Sequence, residues 1–320
     1  MIIYYMKNEQ FVFGKDLSSQ KKEEIAENIN KIKEQAKQKV EGEYEKTQDE
    51  LKFIGMINTY IEKEFQDLKI ANFHSLRAEQ FHLVNMEAYK KLDAGKDFVA
   101  FVIPIESATY INKNVARHRL ELYKTILHES IHLCSSEKNR AVNKNGKLYI
   151  SNYRKGYANQ NIEDAQGKKH EHFRGFNEAV TDLIAIDILK EHKNELVSNL
   201  KIKLEEEQLP VSFTNYKKLL IEIMHKIAKK NNEKVEDVWK RFKRGYFTGD
   251  MMHLRDVEKT FGKGSLRFLA AIYSGTTDTS IETDKKIFRF FETDDENERE
   301  QISQEVLNKR EKTAYQKRRS

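Results

Sequence analysis

The chain has 320 residues, about the length of one or two domains, and its 57 Lys and Arg against 51 Asp and Glu give a formal charge of +6. Six basic groups and one acid fall within Lys309–Ser320, so +5 of that charge is terminal and the body is not a basic, nucleic-acid-binding one. A single cysteine, Cys134, excludes an intramolecular disulfide and a cysteine-based zinc cage.

No stretch approaches the ~18 consecutive apolar residues of a transmembrane helix. The opening MIIYYMKNEQFVFGKD is too short and too broken by charge for a secretory signal. The expected location is therefore the cytoplasm, with export by a signal-less route left open and no membrane partner.

With only two prolines and 13 glycines the expected fold is α+β and predominantly helical. Residues 17–70 read as two charged helices, the second with Leu51, Ile54, Ile57, Ile61 and Phe65 at helical spacing. Residues 1–75 are thus expected as an N-terminal helical extension that packs on the rest or serves as an oligomerisation arm. Phe81–Val84, Phe98–Ile103 and Ala108–Ile111 are short apolar runs with strand composition. Asn112 or Asn114 can cap a helix from about Val115 to Cys134. Between 141 and 174 the glycines imply loops around one strand, Leu148–Ile150. Helices are expected again at 177–190, 215–230, 235–243 and 251–273, followed by a charged tail over 276–320. The catalytic domain is then 76–275.

The sharpest motif is His128-Glu129-Ser130-Ile131-His132. With either acid at its second position, such a motif arises by chance about 0.05 times in a chain of this composition, and less often with Glu alone; on a helix it aims both imidazoles from one face at one Zn²⁺. Glu129 lies beside them, free to take a proton from the attacking water and pass it to a leaving amine. Zinc needs a third protein ligand. A histidine at 138 with glycine at 135 would supply one, but the chain has Lys138 and Ser135. Downstream stands Asn177-Glu178-Ala179-Val180-Thr181-Asp182, where Glu178 and Asp182 share a helix face. One of the two can bind metal while the other accepts the ring N–H of a ligating histidine. His170-Glu171-His172 is a rival source of the third ligand. Cys134 falls about 200° around the helix from His132 and should face away from the metal.

H-E-x-x-H followed by N-E-x-x-[ST]-D resembles the gluzincin metallopeptidases, the thermolysin-like clan in its broad sense, over residues 80–190. The resemblance implies a zincin-like domain holding one zinc per chain through His128, His132 and Glu178. It makes Glu129 the general base and Asp182 the partner of a zinc histidine, His128. It implies hydrolysis of peptide bonds by a zinc-bound water that Glu129 activates, with a protein or peptide as substrate. It also implies an edge strand that pairs with the extended substrate, for which Ala108–Ile111 is the candidate. A gluzincin needs a donor to the oxyanion as well. Tyr216, at the start of the next helix, is the first choice, with Tyr153, Tyr157, Tyr246 and His253 as rivals. The competing reading is a non-catalytic or regulatory protein on the same scaffold that binds a protein partner. A nucleic-acid partner would rest on the basic tail alone.

Overall fold

The structure is a computed structural model that describes residues 11–13, 17–71, 73–92, 99–114, 119–144, 147–163, 169–200, 214–272 and 278–317. It is α+β and mostly helical. After β1 (Phe11–Phe13), Ser18 caps α1 (Ser19–Gln35) and Thr47 caps α2 (Gln48–Asp67). The Thr47 hydroxyl accepts the Glu50 N–H while the Glu50 carboxylate accepts the Thr47 N–H, so two orphan donors are satisfied reciprocally. On α2 the stripe Phe53, Ile54, Ile57, Tyr60, Ile61 and Phe65 is buried in the main core. Of the two alternatives expected for the N-terminal helices, α2 takes the first and packs on the rest of the chain. α1 buries only Ile25 and Ile29, in a small second cluster with Val12 and Ala141.

Three short strands follow, β2 (Phe81–Val84), β3 (Ala100–Ile103) and β4 (Ala108–Asn112), with α3 (Met86–Lys91) between the first two. Their order is β2-β4-β3, with β2 parallel and β3 antiparallel to β4. The expectation that Ala108–Ile111 forms the sheet edge is corrected here. β4 is the central strand, with Thr109 opposite Phe81 on one side and Ile111 opposite Ala100 on the other. β4 is buried throughout, as a strand paired on both sides should be, whereas every residue of β3 is half-buried. The outer strand packed on the first motif helix, α4 (Arg119–Cys134), is β3. The expected start of that helix at 115–118 lies outside the described residues, as does Phe98.

Where loops around the single strand Leu148–Ile150 were expected, four strands lie: β5 (Glu137–Lys144), β6 (Lys147–Lys155), which contains the expected one, β7 (Ala158–Glu163) and β8 (Lys169–His172). With β1 they make a five-stranded sheet ordered β1-β5-β6-β7-β8. EKNRAVNK and ANQNIE carry almost no apolar alternation, so the period that announces a strand is missing. Lys155 is buried, and its ammonium donates to the Leu133 and Ser135 carbonyls at 3.0 and 3.2 Å, which pins the C-terminal end of α4.

The β6–β7 turn depends on Gly156, at φ +56°. A Cβ there would lie 2.5 Å from Asn177 Oδ1 and 2.7 Å from the Tyr246 ring. Gly156→Ala is expected to cost about 3 kcal/mol, from the left-handed backbone and the overpacking together, measured by urea unfolding. Gly55→Ala is the control: its Cβ would meet nothing within 4 Å on α2, and the change should leave stability equal or higher. A Gly156→Ala variant as stable as the parent would show that the turn tolerates a side chain.

Helices complete the chain. α5 (Arg174–Glu191) and α6 (Lys193–Leu200) are followed by α7 (Thr214–Asn231) and α8 (Val235–Thr248). The single helix expected at 251–273 is instead α9 (Arg255–Phe261) and α10 (Ser265–Ala271), split where Gly262 and Gly264 take φ of +95° and +92°. The segment 276–320, expected as a charged tail, begins with α11 (Asp278–Glu292) and α12 (Glu296–Lys317). Ile287, Phe290, Phe291, Ile302 and Val306 from these helices are buried in the main core. Among the described residues no helix is long and apolar enough to cross a membrane.

Candidate metal centre

α4 and α5 pack against each other and bring the two motifs face to face. His128, Glu129 and His132 come from α4, and Asn177, Glu178, Thr181 and Asp182 from α5. His128 Nε2, His132 Nε2 and Glu178 Oε2 converge on one point. They form a triangle with sides of 3.0 Å between the nitrogens and 3.2 and 3.3 Å from each nitrogen to the oxygen. Zinc bonded at 2.0–2.1 Å makes a tetrahedron whose edge is about 3.3 Å, so this triangle has the size of one face. Among the described residues these are the grouped side chains able to hold a metal ion.

Two further contacts decide the chemistry of that triangle. His128 Nδ1 lies 2.8 Å from Asp182 Oδ1. A carboxylate only accepts, so the His128 proton sits on Nδ1 and Nε2 presents its lone pair. Glu178 is also an acceptor. Two lone-pair acceptors facing each other at about 3 Å repel unless a cation lies between them. Charge points the same way. Glu129, Glu178 and Asp182 bring three carboxylates, and the buried Lys217 ammonium, 3.3 Å from Asp182 Oδ2, offsets one of them. A divalent ion would make the cluster neutral, as a buried charge cluster requires.

The protonation preferences of the metal-free cluster carry this demand. Burial disfavours a charged His128 ring, yet the Asp182 and Glu178 carboxylates outweigh it and hold the ring well above its ordinary pKa. Burial would likewise raise the Glu178 carboxyl, but the two imidazoles bring it below the usual carboxylate range. Glu129 is nearly buried, and burial raises its carboxyl above the usual range. It hydrogen-bonds to none of the described residues of the cluster and so remains available to a substrate or a water.

Of the expected site residues, His128, Glu129, His132, Glu178 and Asp182 stand together. Tyr216 does not join them. Its hydroxyl donates to Asp284 Oδ2 on α11 at 3.0 Å, and its ring packs on Phe288. One residue on, a turn of about 100° directs Lys217 to Asp182 instead. Of the rivals, Tyr157 is fully buried and donates to the Phe242 carbonyl at 2.7 Å, and its hydroxyl takes the His253 Nε2 proton at 2.6 Å. Tyr153 lies on β6. Tyr246 does reach the centre, but from behind His132, with its hydroxyl 3.1 Å from Nδ1. His170-Glu171-His172 lies on β8, where Glu171 pairs with Arg174 at 2.9 Å. Cys134 packs against the core, and burial pushes its thiol up to about 12, where it is unreactive.

Lys217 and Thr181 were not singled out by spacing. Thr181 stood inside the second motif, and its position one turn after Asn177 was the available signal. For Lys217 there was none, because its role depends on where α7 is docked.

The chain matches no protein-family profile, no curated protein and no solved structure. The functional reading therefore rests on the residues and their geometry.

Proposed function

We propose that the protein is a zinc-dependent peptidase of gluzincin type, built on a zincin-like domain. The observation that carries this reading is the triangle of three acceptors 3.0–3.3 Å apart, with a carboxylate ordering His128 from behind and Glu129 beside it. His128, His132 and Glu178 would hold the ion. A bound zinc supplies a Lewis acid for the scissile carbonyl and for the attacking water. Glu129 accepts the proton of that water and returns it to the leaving amine. β3, the outer strand beside α4, is the edge on which an extended peptide would add by main-chain hydrogen bonds.

The expected result is one zinc per chain in metal analysis, with cleavage of an unfolded protein substrate that a chelator stops and zinc restores. His128→Ala should lose both the metal and the activity. A wild-type chain that takes up no zinc would refute the reading. Stoichiometric zinc with no hydrolysis of any unfolded substrate would favour a partner-binding scaffold.

A further inference from the structure

The two histidines of the centre are held from behind by different chemistry. His128 has a carboxylate, Asp182, and His132 has hydroxyls. Tyr246 Oη lies 3.1 Å from His132 Nδ1 and 2.8 Å from Thr181 Oγ1, while Thr181 Oγ1 itself is at the limit of reach of that nitrogen, 3.5 Å. A hydroxyl donates one proton and accepts through two lone pairs, so the imidazole tautomer depends on where the Tyr246 proton points.

The surroundings fix that direction. Thr181 Oγ1 donates to the Asn177 carbonyl at 2.9 Å, which leaves its lone pairs facing Tyr246. With its proton given to a helix carbonyl, Thr181 can only accept from Tyr246. Once Tyr246 donates to Thr181, its remaining lone pair faces His132 Nδ1. The proton order then runs without a gap from His132 Nδ1–H to Tyr246, from Tyr246 to Thr181, and on to the Asn177 carbonyl. Every residue in this chain is buried, which keeps solvent from competing for the positions.

On the zinc-peptidase reading above, we propose that Tyr246 is a positioning residue for the metal: its hydroxyl accepts the Nδ1 proton of His132 and so aims the Nε2 lone pair at the ion. α8 thereby becomes a third helix of the centre, joined to α4 and α5 through one phenol. Its fully buried ring leaves the hydroxyl no alternative partner in solvent. An outer partner of a metal-ligating histidine typically accounts for 10–100-fold in metal affinity.

The test measures zinc affinity by chelator competition on the full chain, using zinc alone as the ligand. Tyr246→Phe keeps the ring and removes the acceptor, and it should weaken zinc binding by about 10-fold or more and shift the visible bands of the cobalt-substituted protein. Thr181→Val removes the hydroxyl that accepts the Tyr246 proton and leaves that proton to His132 Nδ1. That favours the wrong tautomer and should weaken zinc by at least as much. It also serves as the second variant if Tyr246→Phe fails to fold. Tyr157→Phe is the control, a buried tyrosine whose ring lies 6.0 Å from that of Tyr246 and whose hydroxyl serves Phe242 and His253. It should cost thermal stability and leave zinc affinity unchanged. Wild-type affinity in Tyr246→Phe, or an equal loss in Tyr157→Phe, overturns the proposal while the peptidase reading stands. A wild-type chain that binds no zinc overturns both.

Discussion

Glu129→Gln is expected to lower peptide hydrolysis by about 10²- to 10⁴-fold while leaving one zinc bound. The separation of the two effects follows from the geometry. The three converging atoms belong to His128, His132 and Glu178, so an amide at 129 removes none of them. Gln has the size of Glu, so the nearly buried site keeps its packing. What disappears is the carboxylate beside the triangle that can accept a proton and give it back. Cleavage of an unfolded fluorescent protein substrate, followed beside metal content, checks both halves. Undiminished cleavage by the zinc-loaded variant would rule out Glu129 as the base.

That residue and its neighbours were legible in the sequence because a helix turns spacing into direction. Four positions carry one imidazole above another, so His128 and His132 could be paired without any knowledge of the fold, and Glu178 with Asp182 likewise. Which carboxylate meets which histidine was open from spacing alone, and the docking of α5 on α4 places Asp182 behind His128. Partners that arrive from other helices were not legible. Tyr216 and Lys217 are adjacent, and only the docking of α7 decides that the lysine faces Asp182 while the tyrosine faces α11. Tyr246 was one of several equivalent tyrosines until α8 brought it behind His132.

The sheets show the same division. β4 could be recognised as a strand, but its central place depends on the pairing of β3 and β2 on either side of it. β5, β7 and β8 are made mostly of polar residues and give almost no alternation to read. Helix breaks follow the reverse rule. Gly262 and Gly264 could be seen in the sequence, yet only their positive φ shows that they end a helix and do not merely sit in one.

Removal of the metal should destabilise the protein most at alkaline pH, so the gap in melting temperature between zinc-loaded and chelated protein widens from pH 6 to pH 9. In the chelated protein protons stand in for the missing cation. His128 holds its proton well above the ordinary value of 6.5, since Asp182 and Glu178 outweigh the opposing effect of burial. A base with a raised folded pKa stabilises the fold fully below its unfolded pKa, and this contribution is lost as pH rises through the folded value. Glu178, lowered by the imidazoles despite burial, behaves oppositely: its contribution is present above the usual carboxylate range and lost in acid. The chelated protein is therefore best off under mildly acidic conditions and loses its substitute cation as the solution becomes alkaline. Zinc at 1,000 times its dissociation constant adds about 4 kcal/mol, and the increment grows with pH because the ion no longer competes with the His128 proton. Asp182→Asn removes the carboxylate that helps His128 keep its proton, so the widening should flatten in that variant. A gap that is constant or shrinks between pH 6 and pH 9 in the wild type would show that the cluster does not depend on a cation.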